Sequence, residues 1–156
     1  NFVRIAVGLI AVLFVLYAVL KPKGKPSFIK DNRPVGAVAG VAAGFTSFLA
    51  HAGGPPFQAY TIPQGLEKRI YAGTAVMFFF VINAVKLVPY AALGQFGKTN
   101  LTTSLMLMPL APVGVLLGVW MLKRIDQDRF YKILYGLIFM TGMKLLWDGL
   151  SVSFGL

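Results

Sequence analysis

This sequence predicts an all-α integral membrane protein, a polytopic helical bundle, and three observations predict it. The chain is 57% hydrophobic and only 13% charged, with a mean hydropathy of +0.73. Soluble domains carry roughly a quarter charged residues, and one small core cannot hide so much apolar surface. The apolar residues fall in runs long enough to cross a bilayer. The charges sit in short clusters between those runs.

Five runs are legible. Phe2 to Leu20 is the first; as a helix it covers roughly 28 Å, close to the hydrocarbon thickness. A cleavable signal would be shorter, more basic at its start and followed by a small-residue cleavage site, so a transmembrane helix is the better reading. The second run, Val35 to Ile62, is interrupted at His51-Ala52-Gly53-Gly54-Pro55-Pro56. The third spans Tyr71 to Leu93, the fourth Ser104 to Leu122 and the fifth Tyr131 to Trp147. Pro89, Pro109 and Pro112 are expected to bend the helices that hold them. The chain starts at Asn1, inside an apolar run, and reads as a fragment that lacks an upstream part.

The formal net charge of +10 would suggest nucleic acid on a soluble protein. Dispersed between apolar runs, it instead suggests basic cytoplasmic loops, and nucleic acid is excluded as a partner. The chain has no cysteine, so disulfides, thiolate metal sites and cysteine nucleophiles are excluded.

Charge also tests topology. If all five runs cross, the basic loops divide evenly and give no orientation. If the second run enters and leaves on one side, Lys21, Lys23, Lys25, Lys30, Arg33, Lys68, Arg69, Lys123, Arg124, Arg129 and Lys132 face Lys98 alone across the membrane. That one-sidedness predicts a broken, re-entrant helical hairpin bent at Gly53 to Pro56. Gly36, Gly40 and Gly44, with Ala39 and Ala43, form a ridge on its first leg that lets another backbone approach.

The hairpin break is the leading candidate site. Glycine and proline stop a helix, and unpaired backbone at membrane depth survives only against protein or a watery cavity. A helix restarting after Pro56 is expected to aim free N–H groups and its positive dipole end at the break, which suits an anion. A plain proline kink is the structural alternative. His51, at the break, can carry a proton or donate to an anion, or simply be a neutral histidine bonded to a carbonyl. Ser47 lies one turn before it and Gln58 follows. Lys86 lies deep in the third run with Asn83 three residues earlier; intramembrane cations rarely face lipid, and an anion or counter-ion would offset the charge. Snorkelling to the interface is the alternative for Lys86. Thr74 can line the same path. Lys144 and Asp148 have the spacing of a helical ion pair, and Gly114 with Gly118 makes a second small-residue ridge.

No catalytic triad, metal-ligand cluster or phosphate-binding loop is present, so no enzyme activity, cofactor or metal is expected.

The run into His51-Ala-Gly-Gly-Pro-Pro, then Gly73-Thr74, Phe79 through Asn83, Lys86, Pro89-Tyr90 and Gly94, and Phe130-Tyr131 to Leu146, resembles the C-terminal half of the TauE/SafE sulfite exporter family. The resemblance covers the chain from Val35 onward, with Phe2 to Leu20 fitting a preceding helix. It implies a multi-pass bacterial inner-membrane transporter of about eight helices built from two related, inverted repeats, which exports or imports sulfite or organosulfonates. Residues 1–20 are then a transmembrane helix, 21–34 a basic cytoplasmic loop and 35–156 the C-terminal repeat. Gly53, Gly54, Pro55, Pro56, Asn83 and Lys86 would form half of the anion site, and the partners would be a small sulfur oxyanion, membrane lipid and the missing N-terminal half. A non-transporting membrane anchor or assembly subunit is the rival reading.

Overall fold

The computed structural model describes residues 2–20, 32–94 and 97–154. Most of the first basic loop, including Lys21, Lys23, Lys25 and Lys30, lies outside the described residues, as does the side chain of Lys98. The described elements are helices α1 (Phe2–Leu20), α2 (Arg33–Ala50), α3 (Gly54–Thr61), a 3-10 turn (Ile62–Gln64), α4 (Lys68–Ala92), α5 (Lys98–Leu107), α6 (Leu110–Arg124) and α7 (Gln127–Phe154). Among them, α1, α2, α4 and α7 are each long and apolar enough to cross a membrane. They group into two compact units: Asn1–Leu66 with Tyr131–Leu156, and Glu67–Phe130.

In the first unit, α1 and α7 run antiparallel through small residues. A Cβ on Gly8 would lie 2.8 Å from the Gly142 carbonyl oxygen, and one on Gly142 would lie 2.9 Å from the Ala11 Cβ. Ile5 fills the space beside Gly149, and the rings of Phe14 and Tyr135 stack with centroids 6.1 Å apart. Without such close approach, two apolar helices in lipid gain little by associating. Val7, Ala11, Phe14 and Val15 of α1, Ala43 of α2, Phe57 of α3 and Ile138 of α7 make the buried core of this unit.

The second apolar run is a hairpin with unequal legs. Asn32 caps α2, its side-chain oxygen accepting from the Val35 N–H at 3.2 Å, and Pro34 sits in the first turn where no N–H is needed. Its second leg, α3, folds back along it. A Cβ on Gly53 would strike the Ala43 carbonyl oxygen at 2.6 Å and the Ser47 Cβ at 2.7 Å, and one on Gly36 would strike the Tyr60 ring at 2.6 Å. Seven residues separate both pairs along the chain, so the two legs run antiparallel in step. The expected ridge is therefore occupied at Gly36 and Ala43, by α3. The long leg, about 27 Å, is long and apolar enough to cross a membrane; the short leg folds back along it.

The ends of these helices gather. Gly36 lies by Tyr60, the Tyr131 hydroxyl donates to the Leu66 carbonyl at 2.6 Å, and the α1–α7 register sets Leu20 toward the start of α7. The start of α2, the exit of the hairpin, the end of α1 and the start of α7 thus share one end of the unit.

In the second unit, the start of α4 is fastened to the α6–α7 link. The Lys68 N–H donates to the Gln127 side chain at 2.8 Å, the Lys68 ammonium donates to the Ile125 carbonyl, and Tyr71 meets Phe130 edge-on at 5.6 Å. The basic residues of both links therefore lie together.

Two elements differ from expectation. The fourth run is not one bent helix but two, parted at Met108-Pro109. Pro109 has no N–H, so the α5 ladder closes with the Met108 N–H on the Leu105 carbonyl and α6 opens with the Ala111 N–H on the Met108 carbonyl. Pro112 falls in the first turn of α6, where it is tolerated. The fifth run extends further at both ends, from Gln127 to Phe154.

Two outcomes are expected. Gly53→Ala should destabilise the protein in detergent by about 1–3 kcal/mol, through overpacking against a backbone oxygen. Gly114→Ala, with nothing within 4 Å, should be neutral or stabilising by up to ~1 kcal/mol; thermal melting of both variants checks the contrast. The second concerns topology. In this cysteine-free chain, Arg33→Cys, Leu66→Cys and Lys132→Cys should label from one face of the membrane and Gly97→Cys from the other. Labelling of Arg33→Cys and Leu66→Cys from opposite faces would remove the hairpin.

Candidate functional site

The break between α2 and α3 is built by backbone geometry. His51 ends α2 in the left-handed region, at φ 52° and ψ 28°, a conformation histidine reaches more readily than bulky residues. Its N–H donates to the Ser47 carbonyl at 3.2 Å and the Ala52 N–H to the Thr46 carbonyl at 3.2 Å. The Thr46 hydroxyl donates to the Ala42 carbonyl at 2.7 Å. The end of α2 is thus closed by its own chain.

The start of α3 corrects one expectation. The helix restarts at Gly54, ahead of the prolines, with Gly53 as its cap; Pro55 and Pro56 occupy its first turn. Proline fits there because its fixed φ suits a helix start and the N–H it lacks has no intrahelical partner. Of the four donors that open a helix, two are therefore absent. The Phe57 N–H already reaches the Gly53 carbonyl at 3.4 Å. The N–H groups of Gly53 and Gly54 are the donors outside the α3 ladder.

Several predicted residues come together here. Ser47 is 5% exposed, and its Oγ lies 3.2 Å from where a Gly53 Cβ would stand. The Gln58 side-chain oxygen lies 3.9 Å from the corresponding point on Gly54. Gly53, Pro55 and Pro56 are buried. Gly53 sits beside Ala43 and Ser47, about 15–21 Å along α2 from Arg33. His51 differs: it is exposed and lies about 27 Å along α2, at the far end.

The remaining predicted residues belong to the second unit. Lys86 is 7% exposed, buried on a helix whose other buried described residue is Tyr71. The Lys86 side chain is largely covered by protein atoms. Asn83 is exposed and does not share the enclosure of Lys86, although three residues apart. The Thr74 hydroxyl donates to the Ile70 carbonyl at 2.8 Å, so its proton is committed to its own helix. Thr74 lines an open apolar groove of about 570 Å³ with Gly73, Met77, Phe78, Val81 and Ile82.

Lys144 and Asp148 do form the ion pair their spacing suggests, at 3.1 Å on an exposed face of α7. Among the described residues no group of three or more His, Cys, Asp or Glu can hold a metal ion. The signal that sequence reading missed is the proline placement: two prolines directly after two glycines mark a helix start as well as a break.

No curated protein and no solved structure matches this chain. The family model for the sulfite exporter TauE/SafE proteins matches residues 1–145, taking in α1 and ending within α7. A multi-pass helical architecture and a match over nearly the whole length agree, and the chain belongs to the sulfite exporter TauE/SafE family of membrane transporters.

Proposed function

We propose that this protein is a secondary transporter of a small sulfur oxyanion, sulfite or an organosulfonate, in the inner membrane of a bacterium. The observation that carries this reading is the buried start of α3 against Ala43 and Ser47. Two backbone donors and the positive end of a helix dipole meet there, and an oxyanion supplies the acceptor that they need. Ser47 and Gln58 stand close enough to these donors to complete the recognition, with Pro55 and Pro56 fixing the turn.

Lys86 is a separate recognition group. It is a cation well inside α4, and its charge suits an anionic substrate. Asn83 and Thr74 lie along the same helix and serve the approach to it. His51, at the far end of the hairpin, is placed to meet the anion or a proton as it enters or leaves. The basic ends of the helices face the cytoplasm. A second, related set of helices completes the transporter, and rocking of the two sets opens the site to each side in turn.

The test is Lys86→Met, which keeps the length and apolar stem of the side chain and removes the charge. Sulfite affinity should fall at least ~30-fold, the usual loss when one partner of an enclosed charged contact is removed. Folding should be retained, because an apolar residue of similar volume replaces a buried ion without penalty. Unchanged affinity in a folded Lys86→Met protein removes Lys86 from the site.

A further inference from the structure

Helix α6 ends in two adjacent cations, Lys123 and Arg124. Two neighbouring cations of the second unit are engaged elsewhere: the Lys68 ammonium with the Ile125 carbonyl, and Arg129 with Asp126 at 3.4 Å. Among the described residues no carboxylate comes within 4 Å of Lys123 or Arg124. The Arg124 guanidinium instead stands 5.4 Å from the centre of the Trp120 ring. One helical turn deeper, Leu116, Leu117, Val119 and Trp120 line an open groove of about 520 Å³ together with Lys123.

This arrangement is amphipathic along its length. Leu116 to Lys123 spans about 10 Å of helix, apolar throughout and capped by an indole and two cations. Tryptophan settles at the boundary between hydrocarbon and headgroups, and its face holds the guanidinium in place. A ligand that matches has a long apolar chain and a phosphate at one end. A soluble anion would leave the leucines uncovered, and an apolar helix would leave both cations without a counter-charge.

We propose that this groove is a binding site for an anionic phospholipid. One acyl chain lies along Leu116, Leu117 and Trp120, and the headgroup phosphate bridges Lys123 and Arg124. Basic clusters at the cytoplasmic ends of membrane helices favour anionic headgroups in this way. The inference is independent of the transported substrate, since it rests on α6 and no residue of the hairpin or of Lys86.

Native mass spectrometry of the whole chain in detergent, titrated with phosphatidylglycerol or phosphatidylcholine, tests it. The wild type should retain phosphatidylglycerol in preference to phosphatidylcholine. The double variant Lys123→Gln/Arg124→Gln should weaken phosphatidylglycerol retention about tenfold or more, from the loss of two surface cations, and leave phosphatidylcholine unchanged. A charge-matched control, Arg33→Gln/Lys132→Gln, should retain phosphatidylglycerol as the wild type does. All the altered side chains are solvent-facing, and circular dichroism checks that each variant is folded. Equal retention of the two lipids by the wild type overturns the proposal. So does equal weakening by the control, which would mean net charge alone, or unchanged retention in the Lys123/Arg124 variant, which would leave the groove to another occupant.

Discussion

Backbone polar groups at membrane depth must find partners, and the architecture of the first unit follows from how the α2–α3 break meets that demand. The end of α2 is closed by bonds from His51 and Ala52 back to Ser47 and Thr46. On the α3 side the demand is reduced instead: Pro55 and Pro56 carry no N–H to satisfy. Gly53 then lets the restarted helix press against the Ala43 carbonyl, where a side chain would not fit. Closure, deletion of donors and close approach leave a short, buried helix start with two donors.

The glycines separate into two populations that report different surroundings. Those at 8, 36, 53, 142 and 149 have a neighbour closer than 3 Å to where a Cβ would stand. They hold α1 to α7 and α2 to α3 by leaving room for a neighbouring backbone at Gly8 and Gly53 and for a neighbouring side chain at the other three, the close approach by which helices associate in lipid. Those at 73, 114, 118 and 136 have nothing within 4 Å; the first three lie on α4 and α6, whose faces are largely open, and Gly136 on an open face of α7. The first unit is tightly knit by its small residues. The second is tied mainly at its basic end, through Lys68, Ile125 and Gln127.

Much of this was legible in the sequence. Run length and charge placement gave the helical membrane class, and the glycine-proline cluster marked the place where α3 folds back along α2. The adjacency of Lys68 to the α6–α7 link does not by itself argue for a hairpin, because both topologies place those links together; the contact of Gly36 with Tyr60 does. The unequal legs were not legible, because apolar composition continues through both. The helix start at Gly54 was missed because proline was read only as a breaker, when its effect depends on the turn it occupies. Nor does spacing alone reveal that Lys86 is enclosed while Asn83 is open, since side chains three residues apart on a helix can meet different neighbours. Pro109 was visible as a perturbation; that it divides the run reflects the lack of packing around α5 and α6 to hold a kinked helix together.

The central claim is that the break binds the transported anion through backbone donors. Selective nitrogen-15 labelling of glycine, with sulfite titrated into the reconstituted protein, tests it most directly. The account predicts saturable amide shifts at Gly53 and Gly54, with the distant Gly114 and Gly118 unmoved. Saturable sulfite binding that leaves the Gly53 and Gly54 amides unshifted would contradict it.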